Sequence, residues 1–289
     1  MIKLIASDMD GTLLSSHLNI SEGNKLAVLE AQKQGIEFMV ATGRDHTEAR
    51  PALEEAGIKC GMITGNGAQA FDKDGKLLFT VGLAPDVVQE VITVLKEHGL
   101  YFELMTSNGV YADSQAERLE NFASLVAQNI PHITFKMAIA MASAHLDMLQ
   151  VTYVDSYDTI FNDSSIEVLK IITFSDKGQA VLGPIGEQLK QNPNIYVTSS
   201  FSNNLEINHR DARKGYAVKH VADMLGISMQ DVMAIGDNHN DISMLEMVGV
   251  SFAMGNAEPE VKATAKYLAE TNVNDGVGKA ILRAIEEDL

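Results

Sequence analysis

Among 289 residues there is one cysteine, Cys60. An internal disulfide is excluded, which fits a reducing compartment. Cationic side chains are scarce too: 22 Lys and Arg stand against 39 Asp and Glu, a formal net charge of −17. That balance argues against nucleic acid and against anionic membrane surfaces as partners, and its first consequence is solubility. Long apolar runs are missing. The uncharged stretch at residues 137–144 is far too short to cross a bilayer. The opening Met1-Ile2-Lys3-Leu4-Ile5-Ala6 meets Asp8 too early for a secretory signal, so a cytoplasmic protein is expected. The eight histidines show no HxxxH or CxxC spacing, which argues against zinc. No tract is low in complexity. With 46% hydrophobic residues the chain can bury a large core, and its length predicts two domains.

What is present has an order. "KLIAS" at residues 3–7 reads as a buried strand, and "SEGNKLAVLEAQKQG" as a helix with Ser21 as cap and Gly35 as stop. "IEFMVA" is a second buried strand, "HTEARPALEEAG" a helix interrupted or restarted at Pro51, and "CGMIT" a third strand. Near the end, "KGYAVKHVADMLG", "DVMAIG", "NDISMLEMVG", "VSFAMG" and "PEVKATAKYLAE" read as helix, strand, helix, strand and helix. Such alternation predicts an α/β core with a parallel, Rossmann-like doubly wound sheet. The middle differs. "YFELMTSNGVYAD", "IEVLKIITF" and "IYVTSSFSNNLEINH" read as antiparallel strands interleaved with helices. An α+β unit at about residues 83–207 is therefore expected inside a core made of 1–82 and 208–289.

Ligands of an open parallel sheet bind at the carboxyl ends of its strands. Three polar clusters follow three buried runs: Asp8 and Asp10; Thr42, Gly43, Arg44 and Asp45; Asp237 to Asp241. Asp8, Asp10, Asp237 and Asp241 would crowd one edge. Two such charges at ~4 Å repel by ~4 kcal/mol at an effective dielectric of ~20, so a cation is expected among them. Oxygen ligands without Cys or His favour Mg2+, which attracts phosphate in turn. Thr42 and the Gly43 N–H can hold phosphate oxygens, and Lys214, which opens a helix, can balance their charge. No cysteine or serine–histidine pair offers a nucleophile. A carboxylate can attack instead, with a second acid moving protons. Asp8, at the strand tip, is assigned the attack, and Asp10, in the turn, the proton transfers.

The motifs "DMDGT", "ATGR", Lys214 and "GDNHND", taken in this order, resemble those of the haloacid dehalogenase-like phosphatases. "NGA" at residues 66–68, the inserted module and the tail "AMGNAEPEVKATA…NDGVGKAI" resemble the Cof-type sugar-phosphatase branch. The resemblance spans nearly the whole chain and implies Asp8 as nucleophile and Asp10 as general acid/base. It implies Mg2+ held by the Asp8 side chain, the Asp10 carbonyl and Asp237, with phosphate held by Thr42, Gly43, Lys214 and Asn240. Asp241 would steer Lys214 or a water on the metal, and the inserted module would be a cap that shuts over the substrate. Arg213 stands where Ser or Asn is more usual, a mild departure.

Rival readings are weaker. An EF-hand loop counted from Asp8 has Leu13 where glycine is needed and Asn19 where glutamate is needed. A phosphoacceptor signalling module would not need a large insertion. A sugar phosphomutase of the same superfamily stays open at this point. The expected activity is Mg2+-dependent hydrolysis of small phosphorylated metabolites, sugar phosphates first, through an aspartyl phosphate.

Overall fold

Four successive buried residues, Leu4–Ser7, make strand β1. Nothing in this run is polar until Ser7, as expected for a strand covered on both faces. The computed structural model describes all residues except 17, 131, 147–150, 200 and 201. After β1 the chain makes a wide turn, Met9–Leu13, then helix α1, Glu22–Lys33. The Ser21 hydroxyl caps α1 by accepting from the Asn24 N–H, and Gly35, at φ +81°, lets the chain turn away. Strand β2 is Glu37–Ala41 and helix α2 is His46–Ala56.

Helix α2 differs from expectation because it runs unbroken through Pro51. Proline removes one backbone donor there, that toward the Thr47 carbonyl. The Asp45 carboxylate stabilises the start of the helix instead, accepting from the N–H groups of Thr47 and Glu48 at 2.6 and 2.9 Å, which offsets the lost bond without replacing it. Strands β3 (Gly61–Thr64), β4 (Gln69–Phe71) and β5 (Leu77–Thr80) follow.

Residues Gly82–Arg210 form one compact unit. It contains α3 (Pro85–Glu97), β6 (Phe102–Thr106), β7 (Gly109–Ala112), α4 (Gln115–Asn129) and α5 (Phe135–Leu146). Then come β8 (Val151–Tyr153), α6 (Asp158–Phe161), β9 (Val168–Phe174), α7 (Gln179–Leu189), β10 (Ile195–Thr198) and β11 (Asn204–His209). Its six strands lie in the order β10-β11-β9-β6-β7-β8, antiparallel except for β7 with β8. Val87, Val91 and Leu95 of α3 and Leu182 and Ile185 of α7 share a core with Leu104, Ile171 and Ile207. Among the described residues two buried ion pairs join elements of this unit, Glu103 with Arg118 at 2.9 Å and Lys170 with Glu206 at 3.7 Å.

The other unit comprises Met1–Val81 and Asp211–Leu289. Its second part adds α8 (Lys214–Leu225), β12 (Val232–Gly236), α9 (Ile242–Met247), β13 (Val250–Ala253), α10 (Pro259–Thr264), β14 (Tyr267–Leu268) and α11 (Gly276–Glu286). The sheet order is β14-β13-β12-β1-β2-β3-β4-β5. Strands β14 to β3 in that order run parallel; β4 and β5 turn back antiparallel. β1, β2 and β12 are therefore central and adjacent, with Ser7 level with Val40 and Ile235.

The segment "PEVKATAKYLAE" is a second correction. Its helix stops at Thr264, and Tyr267–Leu268 becomes an edge strand beside β13. The Lys266 ammonium explains the stop, because it donates to the carbonyls of Val248 (3.1 Å) and Gly249 (2.6 Å) and draws the chain to the sheet. Among the described residues no helix is long and apolar enough to cross a membrane.

Candidate active site

Asp8 continues the β1 ladder, its N–H donating to the Ile235 carbonyl at 2.9 Å, and it is buried. The chain then folds into its wide turn, where the Leu14 N–H donates to the Met9 carbonyl at 2.8 Å. Gly11 makes this turn feasible. Its φ is +77°, and a Cβ there would fall 2.4 Å from the Asp237 carboxylate. Thr12 ties the same two loops together, its hydroxyl donating to Asp237 at 2.8 Å. Asp10 points another way. Its side chain is 48% exposed, against 7% for Asp8, and the Arg44 guanidinium forks onto both of its oxygens.

Lys214 begins α8 and is completely buried. Gly215 allows this by close approach: a Cβ there would meet the Ser243 carbonyl oxygen at 2.1 Å. The Lys214 ammonium donates to Asp8 and to Asp241, each at 2.6 Å. Asp241 spends its second oxygen on the N–H groups of Asp237 (2.9 Å) and Asn238 (3.0 Å). It is thus an organiser of the loop after β12, with both oxygens engaged. Asp237 has one oxygen on Thr12 and flanks Asp8.

Carboxylate oxygens of Asp8, Asp237 and Asp241 lie within 4.8 Å of one another. The electrostatics follow. Burial, then Asp241, pushes the Asp8 carboxyl well above the usual carboxylate range, against the pull of Lys214. Burial and Asp241 likewise push Asp237 up to about 6. Burial by itself would lower Lys214, but the charges of Asp241 and Asp8 outweigh it and raise the ammonium above its ordinary value. With all three carboxylates ionised, the one ammonium leaves them a charge of −2, which a divalent cation would balance. All donors are hard oxygens, so the set fits Mg2+.

Thr42 ends β2. It is buried, its hydroxyl accepts from the Arg44 N–H at 3.1 Å and its carbonyl accepts from the Asn66 N–H at 2.9 Å. Gly43 lies against Asn66, where a Cβ would sit 3.0 Å from the side-chain oxygen. That oxygen also accepts from the Asn240 amide at 3.1 Å. Thr42, Gly43 and Asn240 are thus linked through Asn66, which has a left-handed backbone with φ +60°. Asp8, Asp237, Asp241 and Lys214 meet directly, and Asp10 stands off with Arg44.

Sequence reasoning left two participants without a role. Arg44 stood only as a member of the cluster after the second strand, and Asn66 carried only the "NGA" resemblance and the "NG" signal of a left-handed turn. Asp45 is structural, the cap of α2.

The family model of haloacid dehalogenase-like hydrolases matches residues 5–281. Phosphatase YwpJ of Bacillus subtilis is 32% identical over 279 residues, covering 96% of this chain and 97% of that protein. The 5-amino-6-(5-phospho-D-ribitylamino)uracil phosphatase YcsE of the same organism is 31% identical over 280 residues, covering 97% and 94%. A solved haloacid dehalogenase-like hydrolase from B. subtilis superposes with a TM-score of 0.86 at 30% identity, covering 97% of this chain and 99% of its own. With acidic strand ends, a buried lysine and relatives of matching length, the chain belongs to the haloacid dehalogenase-like hydrolases and is a phosphatase.

Proposed function

We propose that the protein hydrolyses primary phosphate esters of small polyhydroxylated metabolites, sugar or sugar-alcohol phosphates, with Mg2+ and through a phosphorylated Asp8. The observation that carries this reading is the buried Lys214 ammonium bonded at once to Asp8 and Asp241 beside Asp237. The substrate class is supported by the name of the relative YcsE, whose substrate is phosphorylated on a ribityl chain.

In this reading an Asp8 oxygen attacks phosphorus and the ester P–O bond breaks. Asp10, which rests as a carboxylate on Arg44, must leave that pair and take up a proton before it gives this proton to the leaving oxygen. As carboxylate it then takes a proton from water, whose oxygen attacks phosphorus and frees Asp8 and inorganic phosphate. Lys214 neutralises Asp8 enough for it to approach an anionic ester. Thr42, Gly43 and Asn240 orient the phosphate oxygens through N–H and side-chain donors. Asp8, Asp237 and the Asp10 carbonyl would hold Mg2+, which supplies charge neutralisation at the phosphoryl group when bound. The inserted segment at 83–207 acts as the lid that excludes water and selects the leaving group.

Phosphate release measured across sugar phosphates, sugar-alcohol phosphates and nucleotides tests the substrate class. Release is expected from the first two groups and to stop in excess chelator. Full activity in chelator would refute the metal, and preference for nucleotides would refute the class.

A pH dependence follows from Asp237. Its carboxyl titrates near 6 when folded against 3.8 ordinarily. Between about pH 4 and 6 the metal-free native state therefore binds more protons than the unfolded chain. This contribution to stability falls as pH rises through that window and is flat above it. Mg2+ would compete with those protons. The rise in Tm on adding Mg2+ is expected to be larger at about pH 7.5 than at about pH 5, and an equal rise at both would contradict this.

Arg44 holds both Asp10 oxygens, so Arg44→Ala is expected to lower kcat by about 10- to 100-fold with a smaller change in KM. Steady-state kinetics checks this; a pure KM effect would assign Arg44 to substrate binding instead.

A further inference from the structure

We propose that Asn256 and Asn272 are positioning residues for Asp10, which they serve by clamping the turn that carries it. The inference rests on the role just proposed for Asp10. The Met9–Leu13 turn satisfies only part of its own backbone. The carbonyls of Asp8 and Met9 accept from the N–H groups of Leu13 and Leu14. Those of Gly11, Leu13 and Leu14 accept instead from side-chain amides: Asn256 at 2.8 Å, Asn24 at 3.2 Å and Asn272 at 3.0 Å. The Asn272 N–H also donates to the Asn256 side-chain oxygen at 2.9 Å, which turns the Asn256 amide nitrogen toward Gly11. Two residues of the C-terminal part thus bracket the turn at Gly11 and Leu14.

Gly11 directly follows Asp10 and has the least restricted backbone of any residue type, so something outside it must set its torsions. Its carbonyl is the atom that Asn256 holds. Asp10 is half-exposed, and its direction depends on this backbone as well as on Arg44. Asn24 is fully buried, with its oxygen accepting from the Gly278 N–H at 2.8 Å, so it belongs to the core. Asn256 is exposed and Asn272 partly so. Truncating either should leave the fold standing, which makes a positioning role separable from a structural one.

The test compares two esters in single turnovers, following release of the leaving group so that later loss of phosphate from Asp8 does not intrude. p-Nitrophenyl phosphate has a leaving group that needs no proton; a sugar phosphate has one that does. For Asn256→Ala, Asn256→Asp and Asn272→Ala the maximal rate on the sugar phosphate is expected to fall by at least about tenfold. With Mg2+ saturating, because the same turn carries the Asp10 carbonyl, the rate on the aryl ester should stay within about twofold, as should half-saturation for both esters, and Tm should hold. Asn256→Asp, which sets an acceptor against the Gly11 carbonyl, should fall at least as far as Asn256→Ala. Equal losses on both esters, a loss confined to half-saturation, or unchanged rates would each overturn the proposal. Asp10→Ala separates the two levels. If it spares the aryl ester while the asparagine variants do not, the clamp fails; if it slows both esters equally, the acid role of Asp10 fails and takes the clamp with it.

Discussion

Asp8→Asn is expected to lower phosphate release by about 10³-fold or more while the protein stays folded. The amide keeps the shape of the carboxylate and an oxygen for Lys214 to bond, but it is not a nucleophile toward phosphorus. Stability should not suffer, because the substitution removes one charge from a buried group whose net charge is −2. In the absence of metal it should even rise, since burial and neighbouring acids disfavour the ionised Asp8. Thermal melting beside a phosphate-release assay checks both halves. Near-normal turnover would remove Asp8 from the reaction; a collapsed fold would make its role structural.

Lys214→Met should damage both stability and activity. The ammonium is fully buried between two carboxylates that have little access to water. Removing one partner of a buried ion pair costs about 3–5 kcal/mol, because the other charges stay behind uncompensated. Phosphate release should drop by at least about 10²-fold, since Asp8 would then face an anionic ester without the ammonium that is bonded to it. Lys214→Arg is not expected to rescue. The Lys214 ammonium is fully buried and 2.6 Å from both Asp8 and Asp241, so the larger guanidinium would have to displace them. Lys214→Met combined with Asp241→Asn should regain part of the stability and none of the activity. Urea unfolding read against turnover separates the terms, and a Lys214→Met variant as stable as the parent would contradict the buried-pair account.

The parallel core was readable because its strands are short apolar runs ended by polar residues. β1, β2 and β12 are each buried along nearly their whole length, and their carboxyl ends carry Asp8, Thr42 and Asp237. Features decided by a partner distant in sequence were not readable. Residues 265–270 continue a helical pattern, but the edge of β13 and the Lys266 ammonium capture them. Pro51 argued for a break that the Asp45 cap offsets. The Arg44 fork on Asp10 spans 34 residues, and the Asn256 bond to Gly11 spans 245. Neither has a periodicity, since a single side chain meeting a single carbonyl or carboxylate leaves no repeating trace. Tail residues such as Asn256 carried a family resemblance without a physical role until the turn beside Asp8 was seen to hold carbonyls in need of donors.

The most direct measurement is to trap the phosphorylated protein. Enzyme mixed with a sugar phosphate radiolabelled in its phosphate, quenched in acid within the first turnover and digested, should carry the label on the peptide containing Asp8. Asp8→Asn should carry none. Full-rate phosphate release with no label on the protein, or label on another residue, would contradict an Asp8-centred phosphoryl transfer.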